Sequence, residues 1–209
     1  MSLVDDLLTF KKQKKVSKKL EQVNENINWK VRAKVYEILI QRYADFINKS
    51  EIKTIPELKS LVNPSDEAIE SVKNSIKSDN DEDFVRKAFD FVKKIELVEL
   101  DSDVSFWLSP KEILEINASD SFDKAIFLCS LLKSKGLKAK IRVLEFSDSS
   151  RRPIVISEVN GKILTADPTE GILEDKNPED FAKNLKIDGS VFIKALFEFD
   201  DKNYEDFQQ

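Results

Sequence analysis

The sequence predicts an α+β fold in which helices come first and an antiparallel sheet follows. Apolar residues recur at helical spacing through the first sixty positions and again between residues 68 and 92. After Gly136 the pattern changes to alternating apolar and polar residues, and an Asn160-Gly161 pair separates two such runs. A group of helices followed by a group of strands is typical of an α+β domain.

Residues 1–62 are predicted to form an N-terminal helical arm or hairpin. Apolar residues lie at helical spacing in residues 16–27, and a second segment begins at Asn28, a candidate N-cap. Residues 11–19 contain six lysines, a pattern that can contact nucleic acid, an anionic membrane or an acidic partner. No aromatic residue is interleaved for base stacking, so a solvated helix face is the favoured interpretation.

Residues 63–209 are predicted to form one α+β domain. Its helices begin at recognisable caps, such as Asp66 after Pro64 and Asn177 before Pro178, and the longest one ends near Lys135, where Gly136 suits a C-cap. The predicted helices cover residues 66–76, 81–95, 119–135 and 178–185. The predicted strands cover residues 139–146, 153–159, 162–167 and 190–199.

The composition excludes several classes of function. Nucleic-acid-binding domains usually have a basic surface, and the net charge of -5 gives no sign of one. The composition therefore argues against a DNA or RNA partner. A single cysteine excludes an internal disulfide framework, and the sequence has neither a long apolar run nor a signal-peptide pattern. We therefore expect a cytoplasmic protein without a membrane segment.

The absence of histidine has the strongest chemical consequence. With no histidine among its 209 residues, the chain cannot form a Cys-His or Ser-His dyad or supply an imidazole ligand. It also lacks a phosphate-binding glycine loop, a Cys-x-x-Cys pair and an Asp-x-Asp calcium loop. No metal and no cofactor is predicted.

Two motifs, in residues 119–136 and 153–169, resemble the transglutaminase-like superfamily of papain-fold enzymes. In that family Gly-Asp-Cys opens a helix that ends at a glycine, and a His-x-aromatic-Val-Glu-Val strand turns back into a strand that ends at Asp-Pro-Thr. The segment Trp107-Leu-Ser-Pro is similar to the one that precedes the cysteine helix. The cysteine position is Ser121 here, the histidine position is Ile154, and only the aspartate position, Asp167, is kept.

The hairpin geometry explains why an enzyme would use these positions. A two-residue turn fixes the register, so cross-strand partners have residue numbers that add up to 321: Ile156 meets Thr165, and Ile154 meets Asp167. In the family the aspartate would orient the imidazole, which would take the proton from a thiol at the helix N-terminus. Ile154 cannot take a proton.

The remaining polar residues of the motifs have structural interpretations. Ser121 is predicted to be an N-cap or first-turn residue, Asp120 and Asp123 are first-turn acids, and Cys129 is a buried apolar residue with a raised pKa. Asp167 either accepts a local backbone amide at the strand exit or pairs with Arg151 or Arg152 in a small polar pocket.

The resemblance implies amide hydrolysis, as in cysteine proteases, or acyl transfer through a cysteine thioester. Because Ser121 and Ile154 replace the required groups, we predict a catalytically inactive pseudoenzyme that binds a peptide or protein or acts as a scaffold. The alternatives are a residual hydrolase that uses Ser121 with a nonstandard base and a nucleic-acid-associated protein that uses residues 11–19.

The old catalytic cleft has two predicted outcomes. Ile154, Ile156 and Ile163 form one apolar patch, expected on the face that meets the helix carrying Ser121. That patch is either filled by other side chains or open as a hydrophobic peptide groove, because an exposed patch of this kind needs a cover. Trp107, Arg151 and Arg152 are the candidate rim residues.

Overall fold

The computed structural model describes residues 18–98, 106–187 and 189–207. The chain divides into two units, Met1–Ser50 with Ser102–Ser105, and Glu51–Asp101 with Phe106–Gln209. The boundary after residue 62 stays a prediction.

One helix, α1 (Lys18–Glu51), makes up the described part of the first unit and reaches the start of the second. It passes through Asn28 without a break, so the prediction of a helix start at Asn28 is wrong. Residues 18–51 contain neither glycine nor proline, and nothing in this stretch removes a backbone donor or favours a turn. The polar side chain of Asn28 was therefore a weaker signal than the uninterrupted helical composition around it.

The second unit contains six helices among its described residues. Two of their N-termini are capped as the sequence predicts: Asp66 accepts the amides of Ala68 and Ile69, and Asn177 accepts the amide of Asp180. The helices are α2 (Ile55–Leu61), α3 (Glu67–Ser75), α4 (Asp81–Lys93), α5 (Pro110–Ile116), α6 (Ser121–Ser134) and α7 (Pro178–Asn184). Gly136, with φ of 85°, follows α6 in the left-handed conformation that its predicted C-cap role requires.

After α6, the described residues form an antiparallel sheet of seven strands, with α7 inserted between two of them, which confirms the α+β class. Two short strands, β1 (Glu96–Leu97) and β2 (Ala118–Ser119), form a separate parallel pair. The sheet strands are β3 (Lys138–Phe146), β4 (Arg151–Val159), β5 (Lys162–Asp167), β6 (Ile172–Glu174), β7 (Lys186–Ile187), β8 (Ser190–Phe199) and β9 (Tyr204–Asp206). Their order is β6-β5-β4-β3-β8-β7, with β9 also paired to β8.

The hairpin of β4 and β5 has the predicted register. Asn160 and Gly161 both have positive φ, 52° and 78°, as a tight two-residue turn requires. Ile156 is paired with Thr165, and the ladder ends at the pair of Val155 and Ala166. Ile154 and Asp167 come directly after this last pair.

The two faces of the sheet are covered by different helices. Val155 and Val159 of β4 belong to the main apolar core, which also contains the buried side chains of α6. Ile154, one residue along the same strand, belongs to a second cluster with Phe181 and Ala182 of α7. Since successive side chains of a strand point to opposite faces, α6 packs on one face and α7 on the other.

Candidate functional site

The start of α6 is fixed by its own cap and by the strand that precedes it. Asp120 is the N-cap, and its Oδ1 accepts the amide of Asp123 at 2.8 Å. The carbonyl of Ser119 on β2 accepts the amide of Val98 at 3.0 Å. The cap bond that the sequence analysis allowed for Ser121 is thus made by Asp120, whose carboxylate also complements the positive end of the helix dipole.

Ser121 is the first residue of α6 and is half-buried. Among the described residues its hydroxyl has no hydrogen-bond partner, and no lysine or carboxylate lies within bonding distance of it. A serine hydroxyl reacts as a nucleophile only when a neighbouring group takes its proton. The described side chains do not supply such a group.

Trp107 lies beside this helix terminus. Its indole Nε1 donates to the carbonyl of Glu51 at 3.1 Å, and its ring meets Phe122 edge to face with a centroid distance of 6.2 Å. Trp107, Leu108 and Phe122 are all half-buried. Together they form an apolar surface next to Ser121, which we call the Trp107 surface.

Asp123 is buried beneath that surface, with only 1% of its area exposed. Its two carboxyl oxygens both lie 3.3 Å from the amide nitrogen of Leu108. Burial, reinforced by the negative charge of Asp120, raises the pKa of Asp123 to about 8. The Asp123 side chain therefore links α6 to the segment that carries Trp107, and it does so as a neutral acid below that pH.

Lys124 is a functional candidate that the sequence analysis missed. It is buried, with 2% of its area exposed, although it follows Ser121 by one helical turn. Burial lowers the pKa of its ammonium, and the negative charge of Asp167 opposes that effect. The sequence gives no clear sign of this burial, because a lysine in the first turn of a helix is usually solvated.

Asp167 is fully buried at the end of β5. Its Oδ1 accepts the amides of Thr169 at 2.8 Å and Glu170 at 3.0 Å, as the strand-exit interpretation predicts. Its Oδ2 has no hydrogen-bond partner in the described part of the chain. Burial raises the pKa of Asp167, while the two amides and the charge of Arg152 oppose that rise.

The two candidate rim arginines have different surroundings. Arg152 is largely buried and forms an ion pair with Glu170 at 3.4 Å. It forms no ion pair with Asp167, but its positive charge acts to lower the pKa of that carboxyl group. Arg151 is exposed. Of the two arginines in the polar-pocket interpretation, Arg152 is therefore the one whose charge acts on Asp167.

Ile154 has no exposed area and packs with Leu144, Phe146, Phe181 and Leu185. At Ile154 the structure shows the first of the two predicted outcomes, in which other side chains fill the cleft. The predicted face is wrong, however, because the cluster around Ile154 contains α7 and no residue of α6. Ile163, the third member of the predicted patch, is 41% exposed.

Cys129 lies inside α6 with no exposed area, and burial raises the pKa of its thiol. We expect no alkylation of Cys129 by iodoacetamide in the folded protein and complete alkylation after denaturation, since only an accessible thiolate reacts. Mass spectrometry of both samples measures this.

A Lys111→Cys variant is the control for reagent activity, because the Lys111 side chain is 79% exposed. It should be labelled once in the folded state. Labelling of Cys129 at a similar rate would contradict a buried, inert thiol.

No metal site is evident: in residues 18–98, 106–187 and 189–207, no group of three or more histidine, cysteine, aspartate or glutamate side chains could hold an ion. No helix within these ranges is both long enough and apolar enough to cross a membrane.

Comparison with solved structures identifies the fold. LapG from Legionella pneumophila superimposes with a TM-score of 0.52 at 14% identity, over 76% of this chain and 90% of LapG. The calcium-bound form of LapG gives a TM-score of 0.52 at 14% identity, over 75% of this chain and 90% of LapG. The EGTA-treated form gives a TM-score of 0.52 at 13% identity, over 76% of this chain and 88% of LapG. LapG has the transglutaminase-like variant of the papain-like fold.

This chain has the same transglutaminase-like fold. No protein-family model and no curated protein matches the sequence, and at 14% identity the likeness establishes the fold and not an activity. The motif positions named in the sequence analysis, Ser121, Ile154 and Asp167, lie on α6, β4 and β5.

Proposed function

We propose that this protein is a non-catalytic member of the transglutaminase-like fold that binds a peptide or protein segment at the Trp107 surface. The observation that carries the proposal is the burial of Ile154, which has no exposed area at the position where the fold would need a proton acceptor. A side chain that can neither accept a proton nor reach solvent leaves the nucleophile position without its base.

The nucleophile position adds to this argument. Ser121 is a hydroxyl where thiol chemistry would require a thiolate, and the chain's single thiol is buried in the middle of α6. The Oδ1 atom of Asp167, at the third position, accepts hydrogen bonds from two backbone amides that follow β5. Ile154 and Asp167 thus have structural roles, and the Ser121 hydroxyl has no base beside it.

The binding site is placed at the Trp107 surface because that surface combines a partly exposed aromatic pair with a polar border. Tryptophan and other aromatic residues contribute strongly to protein recognition, since they bury a large area and keep a polar edge. Asp120 and the half-buried Ser121 hydroxyl lie beside Phe122 in the first turn of α6. They can bond the backbone of an extended peptide while its apolar side chains cover Phe122.

The two alternatives have less support. A residual hydrolase needs a base at Ser121, and the described residues offer none within hydrogen-bond distance. A nucleic-acid partner would rely on the lysines of residues 11–19, most of which lie outside the described residues. Peptide binding at the Trp107 surface requires neither a base at Ser121 nor the lysines of residues 11–19.

A peptide-display selection against the full chain tests the proposal. We expect selected peptides to bind without being cleaved, and Trp107→Ala to weaken them by at least about tenfold, on the order of 1.4 kcal/mol. Fluorescence anisotropy of labelled peptides measures affinity, and mass spectrometry detects cleavage.

Ile116→Ala is the matched control, because Ile116 is an apolar residue on the neighbouring helix α5 that is 59% exposed. It should leave the affinity unchanged. Peptide cleavage that disappears in Ser121→Ala, or binding that is insensitive to Trp107→Ala, would overturn the proposal.

A further inference from the structure

Helix α1 exposes a stripe of large side chains that recurs every seventh residue. Trp29, Tyr36 and Tyr43 are 65%, 58% and 54% exposed. Leu39 and Phe46, which follow Tyr36 and Tyr43 by three residues, are 39% and 74% exposed. The corresponding residue after Trp29 is Arg32, which is also exposed.

This spacing is that of a helix that pairs with another helix. Large residues at the first and fourth positions of a seven-residue repeat place a continuous seam on one side of a helix, where they insert between side chains of a partner. The repeat covers residues 29–46, and Arg32 is its one charged position. An apolar stripe of this length is costly to leave in water, and its repeat predicts a helical cover.

We propose that two copies of this chain pair through the α1 stripe in an antiparallel arrangement. In antiparallel helix pairs, first and fourth positions of the repeat meet each other. In the register that brings these positions of the stripe together, the numbers of two facing residues add up to 75. Trp29 meets the partner's Phe46, Tyr36 meets the partner's Leu39, and Arg32 meets the partner's Tyr43.

The single charge in the stripe decides the orientation. A parallel pair brings equivalent positions together, so Arg32 would face Arg32 of the partner subunit, and like charges in a seam repel. The antiparallel pair places the guanidinium against the ring of the partner's Tyr43, an attractive contact. A polar residue in such a seam typically fixes register and orientation in this way.

The stripe is large enough to hold two copies together. A large aromatic side chain can bury roughly 150 to 250 Å², so the four aromatic residues of each copy can together remove on the order of 1,200 Å² from water. This reaches the lower end of specific protein interfaces.

Light scattering after size-exclusion chromatography tests the pairing on the full chain. We expect a mass near twice the 24.0 kDa of one chain, and a single-chain mass for the double variant Tyr36→Glu with Tyr43→Glu. Gln41→Glu adds a charge on the opposite side of the same helix and should leave the mass doubled. Circular dichroism of each variant reports whether the fold is retained.

Disulfide trapping tests the orientation and does not depend on the charged variants. A Trp29→Cys chain mixed with a Phe46→Cys chain should cross-link on mild oxidation, whereas Trp29→Cys alone should not. The native Cys129 is buried and does not interfere. A single-chain mass for the wild type, a doubled mass that survives the double variant, or efficient cross-linking of Trp29→Cys with itself would overturn the proposal.

Discussion

Ile154→Ala is expected to lower the free energy of unfolding by about 2 to 5 kcal/mol, the range for large-to-small changes at fully packed sites. Ile154 has no exposed area and packs with Phe146 of β3 and Phe181 of α7. Alanine would leave a cavity that these rings cannot fill without moving. Urea denaturation followed by circular dichroism measures the change.

Ile163→Ala is the matched control for this prediction. Ile163 lies on the adjacent strand β5 and is 41% exposed, so its truncation should cost less than about 1 kcal/mol. If the two variants had equal stability, α7 would not cover Ile154 as described.

Stability is expected to fall as the pH rises from about 5 to 8, and Asp123 is expected to cause most of that fall. Burial raises the pKa of Asp123 to about 8, from its ordinary value of 3.8. The folded state therefore holds a proton that the unfolded state releases. This stabilisation is complete below pH 3.8 and is lost as the pH rises through about 8.

The size of the effect follows from linkage. One proton bound only by the folded state changes the free energy of unfolding by about 1.4 kcal/mol per pH unit between the two pKa values. Carboxyl groups whose pKa is lowered in the folded state, such as Glu112 and Asp200, have finished titrating below this window. They contribute the opposite slope only at acid pH.

Asp123→Asn should flatten the dependence of stability on pH between 5 and 8, since the amide keeps the shape of the carboxylic acid and carries no titrating proton. Asp90→Asn, which changes an exposed aspartate on α4, should leave the dependence as in the wild type. Guanidinium denaturation at several pH values gives the comparison. An unchanged slope in Asp123→Asn would assign the proton to another group.

Local signals in the sequence were sufficient for several elements of the second unit. The Asn160-Gly161 turn fixes the register of β4 and β5 because both residues accept positive φ. Asp66 and Asn177 were recognisable as caps because their side chains bond amides only two or three residues away. Each of these interactions is encoded within a few residues.

The surroundings of Ile154 could not be predicted in the same way. Both faces of β4 are apolar, with Ile154 and Ile156 on one side and Val155 and Val159 on the other. Alternation separates the two sets but does not say which helix covers each. That choice depends on where the chain after β6 places α7, a tertiary contact with no local signal.

Lys124 was missed and the start of α1 was misread for related reasons. A lysine in the first turn of a helix is usually solvated, and only the packing of α6 against the sheet reveals that Lys124 is buried near Asp167. Asn28 has the residue type of a cap, but a cap requires a break in the helix, and the flanking residues all favour continuation.

The cover that α7 places over Ile154 also limits how far catalysis could be restored by engineering. A histidine introduced at residue 154 would be enclosed by the apolar side chains of Leu144, Phe146 and Phe181 and would lose most of its hydration. Such burial favours a neutral ring and penalises the charged form that a base must become during proton transfer. Restoring catalysis in this fold therefore requires moving helix α7 away from residue 154. Substitutions at the three motif positions alone are not enough.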